Sequence, residues 1–193
     1  MSLVSEGNRT SAPVLVESKG SDETRVLAGR LAGVARAGDL VLLVGDLGAG
    51  KTTFAQGFAR ALGVVEPVTS PTFTLVRRYP LAGTGASGAV RGIRTLLHAD
   101  LYRLETLGEV ADLALPEQIE DRGVALVEWG DVAVGVLGDR WLEVRFEITG
   151  TEARRITLAS SGPAWAERWP RLTGLLAGAP PGAGGSLEES AGR

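Results

Sequence analysis

The sequence predicts an α/β fold in which a mixed, mostly parallel sheet is flanked by helices and carries antiparallel hairpins. Two apolar runs, 40–44 and 124–127, have the continuous hydrophobicity of strands that are buried on both faces of a parallel sheet. Amphipathic helical patterns precede and follow the first of these runs. An alternating pattern over 141–159, interrupted by a glycine turn, indicates an antiparallel hairpin.

Composition restricts the class of protein. The chain has 193 residues, 44% hydrophobic and 22% charged, which fits one globular domain with a sizeable core. A net charge of −3 does not favour unaided binding to nucleic acid, and the lack of cysteine excludes disulfides and thiolate metal sites. No apolar run approaches the ~20 residues that span a bilayer, and the N-terminus lacks the apolar segment of a secretory signal. We therefore expect a cytoplasmic protein that does not bind membranes.

The first part of the chain contains the strongest helical signals. Residues 1–20 have no regular pattern and are expected to be a flexible N-terminus. Ser21 is the predicted N-cap of the first helix, which has acidic residues in its first turn and Gly38 after its end. The predicted elements are a helix over 22–36, a strand over 40–44, a loop over 45–50 and a helix over 51–62.

The second part contains shorter elements. They are predicted as strands over 73–79 and 94–100 joined by a flexible loop over 81–92, one or two short helices over 104–122, a strand over 124–127, a hairpin of strands over 141–149 and 155–159, and a helix over 163–177. The main domain is accordingly placed at 21–160, with a terminal helix within 161–178. Proline, glycine and serine dominate 179–193, for which we expect a disordered tail.

Residues 45–52 match the pattern G-x-x-x-x-G-K-[S/T] between a predicted buried strand and a predicted helix. Glycines there let backbone N–H groups turn toward phosphates, and the helix N-terminus adds positive charge. Lys51 is expected to contact the β- and γ-phosphates and the Thr52 hydroxyl to ligate Mg²⁺. The motif thus predicts a P-loop NTPase-like fold that binds ATP. The candidate nucleotide-binding residues are Asp46, Leu47, Gly48, Ala49, Gly50, Lys51, Thr52 and Thr53.

Two acidic residues follow predicted strands, where the carboxyl ends of strands meet a ligand in open α/β sheets. Asp100 and Glu128 are the candidates for holding Mg²⁺ and for orienting or deprotonating the attacking water. Glu128 is favoured because its strand has a central pattern, and the alternative for each is a solvated acid at a strand end. His98, the single histidine, is interpreted as a strand residue with ordinary hydrogen bonds. Trp129 is a candidate wall of the pocket or a core residue.

Four motifs follow one another along the chain, namely residues 45–53, Ser70-Pro71-Thr72, His98-Ala99-Asp100-Leu101-Tyr102-Arg103 and Glu128-Trp129. Together these motifs resemble the TsaE (YjeE-type) ATPases of bacterial tRNA threonylcarbamoyladenosine (t6A) biosynthesis. The resemblance covers about 21–159 in order and with fitting spacing. It departs from the family at the loop 81–92, which is longer than usual, and beyond Ser160, where the extension has no family counterpart.

The resemblance implies roles for particular residues. Mg²⁺ would be held by Thr52 and Glu128, with Asp100 in the same site. Thr72 would lie in a switch-like loop and sense the γ-phosphate. Ser21 and Thr24 are candidates for contacting the base or sugar, and Arg154, in the C-terminal hairpin, is a candidate for contacting the nucleotide.

The resemblance also implies a weak Mg²⁺-dependent ATPase stimulated by partner proteins. Those partners would be TsaB and TsaD, and tRNA would be contacted only through their complex. Two other functions fit a P-loop fold and remain as alternatives. One is a small-molecule kinase, for which the only insertion, 81–92, is small, and the other is a nucleotide switch without significant turnover.

Overall fold

A seven-stranded sheet forms the centre of the computed structural model, which describes residues 10–81, 92–120 and 122–177. The strands are β1 (Val14–Ser18), β2 (Leu40–Val44), β3 (Val76–Pro80), β4 (Thr95–Asp100), β5 (Gly123–Glu128), β6 (Leu142–Ile148) and β7 (Arg154–Ser160). Their spatial order is β1-β7-β6-β2-β5-β4-β3. The four adjacent strands β6, β2, β5 and β4 are parallel, whereas β1, β7 and β3 pair antiparallel with their neighbours. The predicted mostly parallel sheet with antiparallel hairpins is therefore confirmed.

Helices cover both faces of the sheet. They are α1 (Ser21–Ala32), α2 (Lys51–Ala61), α3 (Leu107–Asp112), α4 (Leu115–Glu120), α5 (Val134–Leu137) and α6 (Pro163–Ala177). One core cluster joins α1, α2 and α6 to the sheet and includes Val41 and Leu43, whereas the other joins α3, α4 and α5 to Leu40 and Leu42. Strand β2 is thus buried on both faces, as its continuous apolar sequence predicts.

The N-terminal region differs from the prediction. Residues 14–18, expected to be irregular, form the edge strand β1, which pairs with β7 and packs Val14 and Val16 against the core. Helix α1 begins at Ser21 with Gly20 rather than Ser21 as its N-cap, and the Ser21 hydroxyl instead accepts a hydrogen bond from Arg25. The helix also ends at Ala32 instead of residue 36, because the chain turns there and the Asp39 carboxylate accepts a hydrogen bond from the Arg36 amide.

Strand β3 begins later than predicted. Residues 72–74 form a turn in which the Thr74 amide donates to the Pro71 carbonyl (2.9 Å), and Leu75 has a positive φ of 62°. Phe73 is consequently 85% exposed rather than packed in the sheet. The turn follows from Ser-Pro-Thr chemistry, which overrides the strand preference of Phe73.

The remaining predicted segments lie at the ends and in the β3–β4 connection. The terminal helix is present as α6, and no helix among the described residues is long and apolar enough to cross a membrane. The predicted flexible loop over 81–92 lies outside the described residues except at its two ends. The predicted disordered tail, 179–193, and residues 1–9 of the predicted flexible N-terminus also lie outside them.

Candidate functional site

The phosphate-binding loop connects the carboxyl end of β2 to the start of α2. Gly45 has φ 147°, and a Cβ at this position would lie 2.6 Å from the Phe146 carbonyl oxygen, so only glycine fits. Gly50 is the N-cap of α2 in a left-handed conformation (φ 109°), and no side chain caps the helix. The first N–H groups of α2 are therefore free of a side-chain cap, which is the arrangement that binds anions at helix N-termini.

Lys51 is held at the mouth of this loop. Its ammonium donates to the carbonyls of Gly45 (2.6 Å) and Asp46 (2.9 Å) and lies 4.0 Å from the centre of the Trp129 ring. Burial lowers the pKa of Lys51, while the negative charges of Glu128 and other nearby acids act in the opposite direction. A nearby anion strongly stabilises a buried ammonium of this kind, because the protein supplies little solvation for its charge.

Glu128 and Thr52 lie side by side next to the loop. The Thr52 hydroxyl donates to Glu128 Oε1 (2.8 Å), and His98 Nε2 lies 2.9 Å from the same oxygen. None of the hydrogen bonds found within the described residues uses Glu128 Oε2, although Glu128 lines the cleft. A hydroxyl with spare lone pairs and a carboxylate oxygen facing the cleft are hard oxygen donors, which suit Mg²⁺.

Asp100 is aligned with Glu128 on the adjacent strand, and its two carboxylate oxygens are both bonded within the protein. Oδ2 accepts from the hydroxyls of Ser70 (2.5 Å) and Thr72 (2.7 Å), and Oδ1 accepts from the Tyr102 amide (3.0 Å). Asp100 therefore ties the Ser-Pro-Thr segment to the sheet edge. This arrangement favours Glu128 over Asp100 for direct contact with a metal ion or water.

These groups surround one cleft of about 330 Å³. Its walls are formed by residues 47–53, Ser70, Thr72, Asp100, Tyr102, Glu128 and Trp129. Trp129 is placed there by an unusual backbone conformation (φ 61°), with its amide bonded to the Leu43 carbonyl. Its ring lies against Tyr102, with 5.1 Å between ring centres, so Trp129 forms part of the wall rather than only the core.

A second, smaller cleft of about 180 Å³ lies on the other side of the loop. It shares Gly48, Gly50 and Thr53 with the first cleft and is completed by residues from α1 and from the β6–β7 turn. Ser21 and Thr24 line it. The Thr24 hydroxyl is engaged within the protein, 2.8 Å from Ser18 Oγ.

Arg154 also lines the second cleft, but its guanidinium is bonded to the protein backbone. Nε and Nη2 donate to the carbonyls of Ala49 (3.0 Å) and Gly48 (3.2 Å), and Nη1 donates to carbonyls of the β6–β7 turn. Arg154 thus braces the phosphate-binding loop against the hairpin. This contact joins residues 105 positions apart in sequence, so no local pattern could indicate it.

The structure brings the predicted site residues to the two clefts, with one qualification. Asp46 faces solvent and contributes its carbonyl to Lys51 rather than lining either cleft. Three residues that were not predicted as site residues belong to the arrangement, namely Ser70, His98 and Tyr102. Ser70 lies in the Ser-Pro-Thr motif, and His98 and Tyr102 lie in the His-x-Asp-x-Tyr-Arg motif. Membership in these motifs is the sequence feature that could have identified them.

A buried parallel strand, a glycine loop and an uncapped helix with a lysine at its first position define a P-loop nucleotide-binding protein. The family model "Threonylcarbamoyl adenosine biosynthesis protein TsaE" matches residues 18–156. The chain therefore belongs to the TsaE family, a family of P-loop ATPase-type proteins, and the predicted resemblance is confirmed.

Individual relatives agree with this assignment. The chain is 39% identical over 141 residues to the tRNA threonylcarbamoyladenosine biosynthesis protein TsaE of Bacillus subtilis, covering 73% of this chain and 82% of that protein. It is 42% identical over 147 residues to the protein of the same name from Streptomyces coelicolor, covering 74% and 93%. The crystal structure of Bacillus subtilis YdiB is similar with a TM-score of 0.62 and 30% identity, over 86% of this chain and 95% of YdiB.

Proposed function

We propose that this chain binds and hydrolyses ATP with Mg²⁺ in the first cleft as a subunit of the machinery that makes threonylcarbamoyladenosine in tRNA. The proposal rests on one observation above all: the Thr52 hydroxyl and the Glu128 carboxylate meet, 2.8 Å apart, beside the phosphate-binding loop. The names of the TsaE relatives support the tRNA product. The net charge of −3 favours contact with tRNA through partner proteins rather than directly. The resemblance to the TsaE family implies that these partners are TsaB and TsaD.

Each residue has a separate task in this proposal. Lys51 and the N–H groups of the loop bind the β- and γ-phosphates, and Thr52 and Glu128 hold the Mg²⁺ ion directly or through water. When bound, Mg²⁺ neutralises negative charge on the phosphate oxygens. Glu128 Oε2 also faces the cleft, where it orients or deprotonates the attacking water.

The second cleft completes the nucleotide site. Because it shares three residues with the first cleft, a triphosphate in the first cleft places the nucleoside in the second. Ser21 and Thr24 contact the base or sugar there. Arg154 acts on the nucleotide through the carbonyls of Gly48 and Ala49, which it holds in position.

Phosphate release from ATP, measured with the chain alone and with TsaB and TsaD added, tests the proposed function. We expect slow release from the chain alone and faster release with both partners. ATP binding without phosphate release under either condition would indicate a nucleotide switch. Transfer of phosphate to a metabolite would support a kinase instead.

Lys51→Ala is expected to weaken ATP binding about a hundredfold, or ~3 kcal/mol, since it removes two charge-assisted contacts to phosphate. The dissociation constant for ATP, measured by calorimetry, checks this. The chain offers a matched control, Lys19→Ala, which removes its only other lysine from an exposed position and should leave affinity unchanged. Equal ATP affinity in the two variants would contradict the assigned phosphate site.

Thr72→Ala is expected to reduce the preference for ATP over ADP by about tenfold, the value of one hydrogen bond to a charged group. The Thr72 hydroxyl lies on the cleft wall, held by Asp100, and is within the segment proposed to sense the γ-phosphate. The ratio of the two dissociation constants is the measurement. Thr74→Ala, an exposed threonine two residues away, is the control, and a ratio shifted equally in both would refute the sensor role.

A further inference from the structure

His98 is a buried polar residue for which the proposed chemistry has not yet given a role. Its side chain is fully buried on β4, two residues before Asp100 and on the same face of the strand. Nε2 lies 2.9 Å from Glu128 Oε1, and Nδ1 is buried without a hydrogen-bond partner among the described residues. A buried imidazole with one bonded and one unbonded nitrogen is a specific arrangement that requires an explanation.

The two nitrogens determine where the ring proton lies. A carboxylate oxygen only accepts hydrogen bonds, so the nitrogen that faces Glu128 must be the donor. The geometry therefore places a proton on Nε2, where it is donated to Glu128.

The contact also determines how Glu128 is presented to the cleft. Both donors, His98 Nε2 and Thr52 Oγ1, bind Oε1, while Oε2 has no protein partner within the described part of the chain. Because Thr52 lies on α2 and His98 on β4, the two donors hold Oε1 from different elements. The carboxylate is fixed in one orientation, with Oε2 directed to the cleft that Glu128 lines.

We propose that His98 is a positioning residue, which through its Nε2–H donor holds Oε1 of Glu128 and so directs Oε2 toward the metal ion and the attacking water. The inference rests on the role proposed above for Glu128. Partners that orient a metal ligand from behind commonly contribute 10- to 100-fold in metal affinity or activity. His98 does not itself touch the reacting atoms.

The tautomer can be observed directly because His98 is the only histidine in the chain. In a tag-free protein labelled with ¹⁵N, a long-range ¹H–¹⁵N spectrum near neutral pH reports a single imidazole. We expect a proton on Nε2, and a displaced signal in Glu128→Ala but not in the control Glu147→Ala, which removes an exposed acid of β6. A ring whose only proton is on Nδ1, or a signal unmoved in Glu128→Ala, would overturn the proposal.

Three substitutions of His98 distinguish the effect of its hydrogen bond to Glu128 from the effect of having any polar side chain at this position. The amide of Gln in His98→Gln reaches about as far as Nε2, whereas the shorter Asn in His98→Asn does not, and His98→Leu has no donor. Metal affinity is measured by titrating Mn²⁺ into the protein–ADP complex and detecting free Mn²⁺ by paramagnetic resonance. We expect His98→Asn and His98→Leu to lose about 10- to 100-fold in Mn²⁺ affinity and in kcat with KM for ATP unchanged, and His98→Gln to retain most of both.

The comparison of Gln with Asn guards against a trivial loss of folding, since both place an amide in the same core. Wild-type metal affinity in His98→Asn, or an equal loss in His98→Gln and His98→Leu, would overturn the proposal. Failure of the underlying function has a different signature. If Glu128→Ala leaves Mn²⁺ affinity unchanged, the metal role of Glu128 is wrong, whereas a loss in Glu128→Ala without one in His98→Asn refutes only the role of His98.

Discussion

Glu128→Ala is expected to lower the rate of ATP hydrolysis about a thousandfold while ATP binding is largely retained. Glu128 lies at the carboxyl end of β5, 3% exposed, with Oε1 bonded inside the protein and Oε2 directed to the cleft. Its removal eliminates both the proposed ligand for Mg²⁺ and the proposed acceptor of the water proton. Lys51 and the loop N–H groups remain, so the phosphates still bind.

Single-turnover phosphate release and the dissociation constant for ATP, measured on the same preparation, separate these two effects. Glu128→Gln is the matched variant because it keeps the size and the acceptor oxygen but removes the negative charge. In both variants the donors of His98 or Thr52 have a weaker acceptor or none, which lowers the free energy of unfolding by ~1–3 kcal/mol. The assays should therefore be run well below the unfolding temperature. Hydrolysis at the wild-type rate in Glu128→Ala would move the catalytic role to Asp100.

The part of the fold nearest the loop could be predicted because its sequence signals are local. Strand β2 is apolar at every position, the glycines follow at once, and α2 begins at Lys51 and ends before Gly63 as predicted. Asp100 and Glu128 could likewise be assigned to one edge, since parallel strands end at a common edge of the sheet. Both inferences need only the pattern of a few neighbouring residues.

Other features depend on contacts between distant residues. Strand β1 has five residues, and its pairing with β7 joins positions about 140 apart, so its short pattern carries too little information to predict a strand. The bond from Ser70 to Asp100 spans 30 residues, as does that from His98 to Glu128. Sequence spacing predicts that such residues share a sheet edge, but it does not predict which atoms meet.

The anchoring of α6 is another long-range feature, and it gives the second large prediction. Arg168 donates to both carboxylate oxygens of Asp39 at 2.7 Å and to the Val34 carbonyl at 3.0 Å, and it lies over the Trp165 ring. Both charged side chains are buried, with exposures of 4% and 7%. Since α6 lies beyond residues 18–156, which match the family model, this ion pair attaches a helix outside the matched region to residues inside it.

Arg168→Met is expected to reduce the free energy of unfolding by ~3–5 kcal/mol, because it leaves the Asp39 carboxylate buried without its cationic partner. Urea denaturation of both proteins measures the difference. The matched control is Arg171→Met, an exposed arginine of the same helix, for which we expect a change within ~0.5 kcal/mol. Equal stabilities of the two variants would contradict a structural role for the buried pair.

The double variant Arg168→Met with Asp39→Leu separates the cost of an unpaired charge from the loss of attraction. Replacing both partners by apolar residues removes the buried charge, so the double variant should be more stable than Arg168→Met alone. The pair lies at the amino end of β2, whereas the phosphate-binding loop follows its carboxyl end. The ATP affinity of folded Arg168→Met should therefore equal that of the wild type. The reason is that α6 stabilises the domain at the end of the sheet opposite the phosphate-binding loop.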